Sequence, residues 1–115
     1  MSEDASRIVY VVAETIRQRF RDSGQLAQVR QRSMSEELYE VIWSDSLAPP
    51  KAGQVAGTRT QMVRYFRRSD GALMAIVHRY LRPDGTLGAS GLPDPKWLRD
   101  GDQILVLDRR DTTHD

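Results

Sequence analysis

His78, Arg79, Tyr80 and Arg82 bring an imidazole, a phenol and two guanidinium groups into one short segment of the 115-residue chain. Such a set can cleave RNA without a metal. The imidazole takes the 2′-hydroxyl proton, and a cation stabilises the charged phosphorane. Small bacterial ribonuclease toxins use this kind of set on antiparallel sheets with helices on one side, an analogy of architecture only. The competing reading is a histidine packed in the core, favoured by a hairpin register that places His78 opposite Val63.

A second group is Arg64, Arg68 and Arg79, interleaved with Phe66. Arginine forks bind phosphate in the plane of the guanidinium, and rings stack on bases, so an exposed sheet face of this composition suits single-stranded RNA or DNA. The plainer alternative is a solvated face whose arginines pair with carboxylates. Trp43 and Trp97 read as core anchors.

The third group is the run from Gly88 to Lys96, Gly-Ala-Ser-Gly-Leu-Pro-Asp-Pro-Lys. Asp94 followed by Pro95 reads as a helix start, with aspartate as cap and proline at the first position. Free N–H groups there, with Ser90, Gly91 and the Lys96 ammonium beside them, could cradle a phosphate or carboxylate. Against this, an aspartate cap fills the anion site with its own carboxylate.

Together with His78 and the Pro83-Asp84-Gly85 turn, the segment Ser90-Gly91-Leu92-Pro93-Asp94-Pro95-Lys96 resembles a family of short uncharacterised bacterial proteins. The resemblance covers under a third of the chain and carries over no functional residues.

Other chemistries find little support. The chain has two histidines and no cysteine, so thiolate metal sites and disulfides are excluded and a reducing compartment is its natural home. Asp100-Gly101-Asp102 opens like a calcium loop but lacks the later ligands. No Gly-rich phosphate loop is present. No cofactor or metal is expected, and His114 in the tail is given no role.

The net charge is +1, so the whole-molecule balance does not call for nucleic acid. Its distribution says more. Five arginines and one acid lie between Arg17 and Arg32, and six arginines and one acid between Arg59 and Arg82. Glu36, Glu37, Glu40 and Asp45 form an acidic stretch with no base between them. The start of the chain is acidic and lacks the basic and apolar regions of a secretion signal, and no apolar run approaches a membrane span. The protein is therefore expected in the cytoplasm.

The elements that must position these residues follow from periodicity. Ile8, Val12, Ile16 and Phe20 keep helical spacing, which predicts a helix over residues 5–20 with Asp4 as cap. The β-branched run Ile8-Val9-Tyr10-Val11-Val12 keeps an early strand at 7–12 open. Residues 24–33 suit either a helical extension or a short edge strand. Ser33 and Glu36 fit a capping box ahead of Leu38, Val41 and Ile42, which predicts a second helix over 35–46. Residues 46–58 are a loop.

Met62–Arg68 and Ala72–Leu81 read as a hairpin turning at Asp70-Gly71. A two-residue bend makes facing residue numbers sum to 141, so His78, Tyr80, Ile76 and Met74 join Val63 and Tyr65 on the core face. Arg64, Phe66, Arg68 and Arg79 then point to water. A short strand at 86–89, one helical turn at 96–98 and a last strand at 103–108 complete the reading.

The expected architecture is α+β: two N-terminal helices packed on a three- to four-stranded antiparallel meander, with residues 1–115 as a single domain and 109–115 as a flexible tail. The leading functional expectation is a small non-catalytic binding module. Its arginine-rich sheet face engages a phosphate backbone, RNA or DNA, or an acidic protein surface. One alternative is the metal-independent ribonuclease using His78, Arg79, Tyr80 and Arg82. The other is a protein-directed accessory subunit or inhibitor working through the acidic stretch. The oligomeric state is left open.

Overall fold

The computed structural model describes residues 6–110. Strand β1 (Arg7–Val11) comes first, followed by helices α1 (Ala13–Asp22) and α2 (Gln25–Arg30). Then come the long strand β2 (Leu38–Leu47), the hairpin β3 (Arg59–Arg67) and β4 (Leu73–Leu81), and the closing strands β5 (Asp94–Asp100) and β6 (Gln103–Leu107). All six strands form one sheet in the order β1-β6-β5-β4-β3-β2. β1 runs parallel to β6, and every other neighbour is antiparallel.

The expected three- to four-stranded antiparallel meander behind N-terminal helices is therefore replaced by a six-stranded mixed sheet with two short helices. Three segments account for the difference. Residues 7–11 are strand, as their β-branched composition allowed, and the helix begins only at Ala13. The expected helix over 35–46 is β2. Its Ser35 hydroxyl does bond the backbone N–H groups of Glu37 and Leu38, but as a bend into a strand. Here Val41, Ile42 and Trp43 favour a pleated surface, and pairing with β3 outweighs a capping signal. Asp94-Pro95 opens a strand, so no helix start exists at that corner. Pro95 is tolerated beside a bulge, where the β4–β5 register shifts between Ile76 and Val77. The expected strand at 86–89 is reduced to one bridge between Leu81 and Leu87.

The Asp70-Gly71 hairpin exists, but its bend is longer than two residues. Arg67 N–H donates to Ala72 O at 2.8 Å and Gly71 N–H to Arg67 O at 2.7 Å, leaving residues 68–71 in the loop. The pairing then shifts between Tyr65 and Phe66, with Met74 as the extra residue of β4. Facing numbers along most of the hairpin sum to 140: Val63 faces Val77, and Met62 faces His78. A shift of one residue turns every side chain of β4 to the other side. Ala75, Val77 and Arg79 go into the protein, while Ile76, His78 and Tyr80 go to the open face.

Ile16, Phe20 and Val29 of the helices form one buried cluster with Val63, Tyr65, Ala75, Val77, Leu98 and Leu105 of the sheet. Among the described residues, no helix packs on the opposite face. Among the described residues, no helix is long and apolar enough to cross a membrane. The expected Asp4 cap, His114 and residues 111–115 of the expected tail lie outside the described residues.

Candidate anion-binding site

β4 outruns β5, whose pairing with it ends at His78 and Asp94. Past that point the chain from Gly88 to Pro93 runs alongside, tied by Gly88 N–H to Tyr80 O at 2.8 Å. A cleft opens there, walled by Phe20 of α1 and Leu26 of α2 and reaching Lys51 in the β2–β3 loop. His78, Arg79 and Tyr80 all line it, together with Ser90 and Lys96. The fold thus gathers five of the residues singled out from sequence.

Arg79 sits in the cleft wall at 3% exposure. Its Nε donates to Gln61 Oε1 at 2.8 Å, and its Nη1 reaches Glu40 Oε1 at 3.3 Å and the Tyr65 hydroxyl oxygen at 3.4 Å. Tyr65 OH itself donates to Glu40 Oε1 at 2.9 Å. Burial, with Glu40 adding to it, pushes the Tyr65 phenol upward, so Tyr65 stays protonated as the donor of this bond. The Nη2 of Arg79 is buried with no hydrogen-bond partner. A buried orphan donor of this kind costs about 1–3 kcal/mol, which an incoming acceptor would recover.

The rim adds Arg17 and Arg21, one helical turn apart on α1, and Lys51 and Lys96. Asp94 is the carboxylate of the lining. Burial pushes its pKa up, but bonds from Arg17 Nε and Lys96 Nζ, each 2.9 Å, outweigh this and hold it below the usual range. Cations therefore outnumber carboxylates along the cleft.

His78 is half-buried, neither in the apolar core nor beside the Arg79 guanidinium, which lies on the other side of the strand. Its Nε2 is 2.6 Å from Thr60 Oγ1, and its ring meets Tyr80 edge-on at 4.7 Å. Burial and then the Lys96 charge lower its pKa, with Asp94 opposing, which favours neutral imidazole. Arg82 is absent from the lining; its Nε is buried without a partner behind the Pro83 turn. Gly91 lies on the exposed Ser90–Leu92 bend at φ 81°.

The expected arginine-rich sheet face is not formed as drawn, because Arg79 points inward. Arg64, Phe66 and Arg68 do lie toward the open face, where neighbouring rings engage them. The Arg64 guanidinium stands 4.3 Å from the centre of the Trp43 ring, and Phe66 stacks on Tyr39 at 5.4 Å. Arg68 approaches Tyr39 at 5.8 Å and donates to Ser35 O. Trp43 is thus an exposed residue of the face rather than a core anchor. The acidic stretch disperses as well: Glu40 joins Arg79, and Asp45 pairs with Arg59 at 2.6 Å.

Sequence reasoning missed Arg17, Arg21 and Lys51. The spacing of Arg17 and Arg21 was a usable signal once α1 was recognised, whereas Lys51 arrives through a loop whose path no local pattern encodes.

Comparison of the chain with protein-family models, curated sequences and solved structures returns no match.

Proposed function

We propose that this chain is a non-catalytic binding module that takes a phosphate-bearing partner, an RNA or DNA strand, in the basic cleft beside Arg79. The buried guanidinium of Arg79, whose Nη2 has no hydrogen-bond partner, on a residue lining a cleft rimmed by Arg17, Arg21, Lys51 and Lys96, carries the reading. A guanidinium held by Gln61, Glu40 and Tyr65 is already oriented, so little side-chain entropy is lost when a phosphate oxygen accepts from it. The absence of cysteine suits this activity to the reducing cytoplasm.

The test is fluorescence anisotropy with labelled single-stranded RNA and DNA across a salt series. Binding should weaken steeply with salt. Arg21→Glu and Lys51→Glu, both at exposed positions, should lower affinity and flatten the log–log slope by about 0.7 per lost phosphate contact. Salt-insensitive binding, or none, rules the reading out.

A metal-independent ribonuclease is the second reading, favoured by one observation. His78 lines the same cleft with a depressed pKa, as a general base would need. Cleavage of RNA in EDTA that His78→Ala abolishes would establish it; intact RNA after prolonged incubation would end it.

A further inference from the structure

Among the described residues, nothing covers the side of the sheet away from the helices, and that side is largely apolar. Cross-strand partners trace one row over all six strands: Val41, Arg64, Ile76, Trp97, Val106 and Tyr10. Phe66, Trp43, Ile104 and Ile8 flank it. We propose that this face is the interface of a homodimer, in which two copies stack sheet on sheet.

Two observations favour a second copy over a charged partner. The first is charge. The row holds one charged residue, Arg64, and its guanidinium already lies on Trp43. Arg99, beside the row opposite Ile104, is held by Leu73 O and Ser6 Oγ. Asp94 at the border is paired with Arg17 and Lys96. No acid of the row would attract a basic partner, and the arginines of this face are already engaged, Arg64 by Trp43, Arg68 by Tyr39 and Ser35 O, and Arg99 by backbone and Ser6. The second is area. At roughly 200 Å² per ring, the exposed fractions of Tyr10 (67%), Trp43 (57%) and Tyr39 (36%) supply about 320 Å² between them. Ile8 at 61% and Val41 at 44% add to this, as do the half-buried Ile76, Trp97 and Val106. A standard interface takes about 800 Å² per partner, and the three rings alone supply a large share of that.

Arg64 also selects the symmetry. A two-fold axis across the strands would lay Arg64 on Arg64 at the centre of a dry interface. An axis along the strands instead lays β2 over β1 of the second copy, β3 over β6 and β4 over β5. Arg64 then meets Val106 and the Tyr10 ring, where a cation–π contact replaces repulsion.

The full chain should sediment at twice its 13.1 kDa mass. Tyr10→Glu and Trp43→Glu, at exposed positions, should halve that mass with an unchanged circular dichroism spectrum. A wild-type monomer at every concentration overturns the proposal, including one that binds lipid vesicles through this face. So does a dimer that both substitutions leave intact. The natural lack of cysteine allows a geometric check. With a bismaleimide spanning about 10 Å, the sheet-to-sheet distance, Val41→Cys protein should cross-link to Tyr10→Cys protein in a mixture. Cross-linking of Val41→Cys only to itself would overturn the arrangement.

Discussion

Arg79 and Glu40 form an ion pair at 3.3 Å on the inner face of the sheet, with side chains exposed to only 2% and 14%. The two strands that carry them, β4 and β2, are separated by β3, so the pair bridges one strand and recruits Gln61 and Tyr65 from it. A guanidinium this deep is tolerated because three side-chain acceptors share it.

Breaking the pair should cost more than replacing it. Glu40→Gln and Arg79→Met each leave a buried group uncompensated and should destabilise by about 3–5 kcal/mol. The double substitution should cost clearly less than the sum of the two. Urea denaturation of the four proteins, read as a double-mutant cycle, checks this; strict additivity would show that the pair is not coupled.

His78 gives stability a pH dependence. Its native pKa lies below the ordinary value of 6.5, so near that pH the unfolded chain binds a proton that the native protein refuses. Stability is complete above pH 6.5 and declines as pH falls through the native pKa. Midpoints of urea unfolding should therefore drop with acidification below 6.5, and His78→Gln should remove that part of the slope. A rise in stability over the same interval would contradict the assignment.

Asp70 is locked to Arg67 across the hairpin loop by two hydrogen bonds of 2.9 and 2.7 Å, and it also accepts from Ala72 N–H. The Arg67 bond, aided by the backbone one, lowers its pKa to about 2. Carboxyl NMR titration should find Asp70 among the most acidic groups of the chain. Arg67→Ala should move it back toward an ordinary aspartate, and added salt should do so partly, since the pair is exposed.

Gly57 closes the β2–β3 loop at φ 88°, and an added Cβ would stand 3.0 Å from Pro83 Cγ. Gly57→Ala combines backbone strain with that contact and should cost about 1–3 kcal/mol in thermal or urea unfolding. The neighbouring Gly53, also at positive φ but with open space around it, is the control; its substitution by alanine should cost less.

Much of the molecule was legible locally. The strand character of residues 62–68 and 72–81, the bend at Asp70-Gly71 and the last strand followed from alternation and turn chemistry, whereas the gathering of His78 with Ser90 and Lys96 came only with the fold. Two misreadings share a cause. Leu38, Val41 and Ile42 have a spacing that suits a helix or a two-sided strand, and Asp94-Pro95 suits a helix start or an edge beside a bulge. In each case the deciding partner, β3 or β4, lies far away in sequence.

Composition and periodicity by themselves determined that this is a small α+β chain without thiol chemistry, with a hairpin at its centre and its arginines concentrated in two segments. Tertiary structure decided which arginine is buried and which face is bare. The reason is the period of a strand. Side chains alternate every residue, so two more residues in the hairpin loop and one bulge at Met74 send Arg79 inward and His78 outward. That choice is made by hydrogen bonds across the whole ladder, and no short window of the chain contains them.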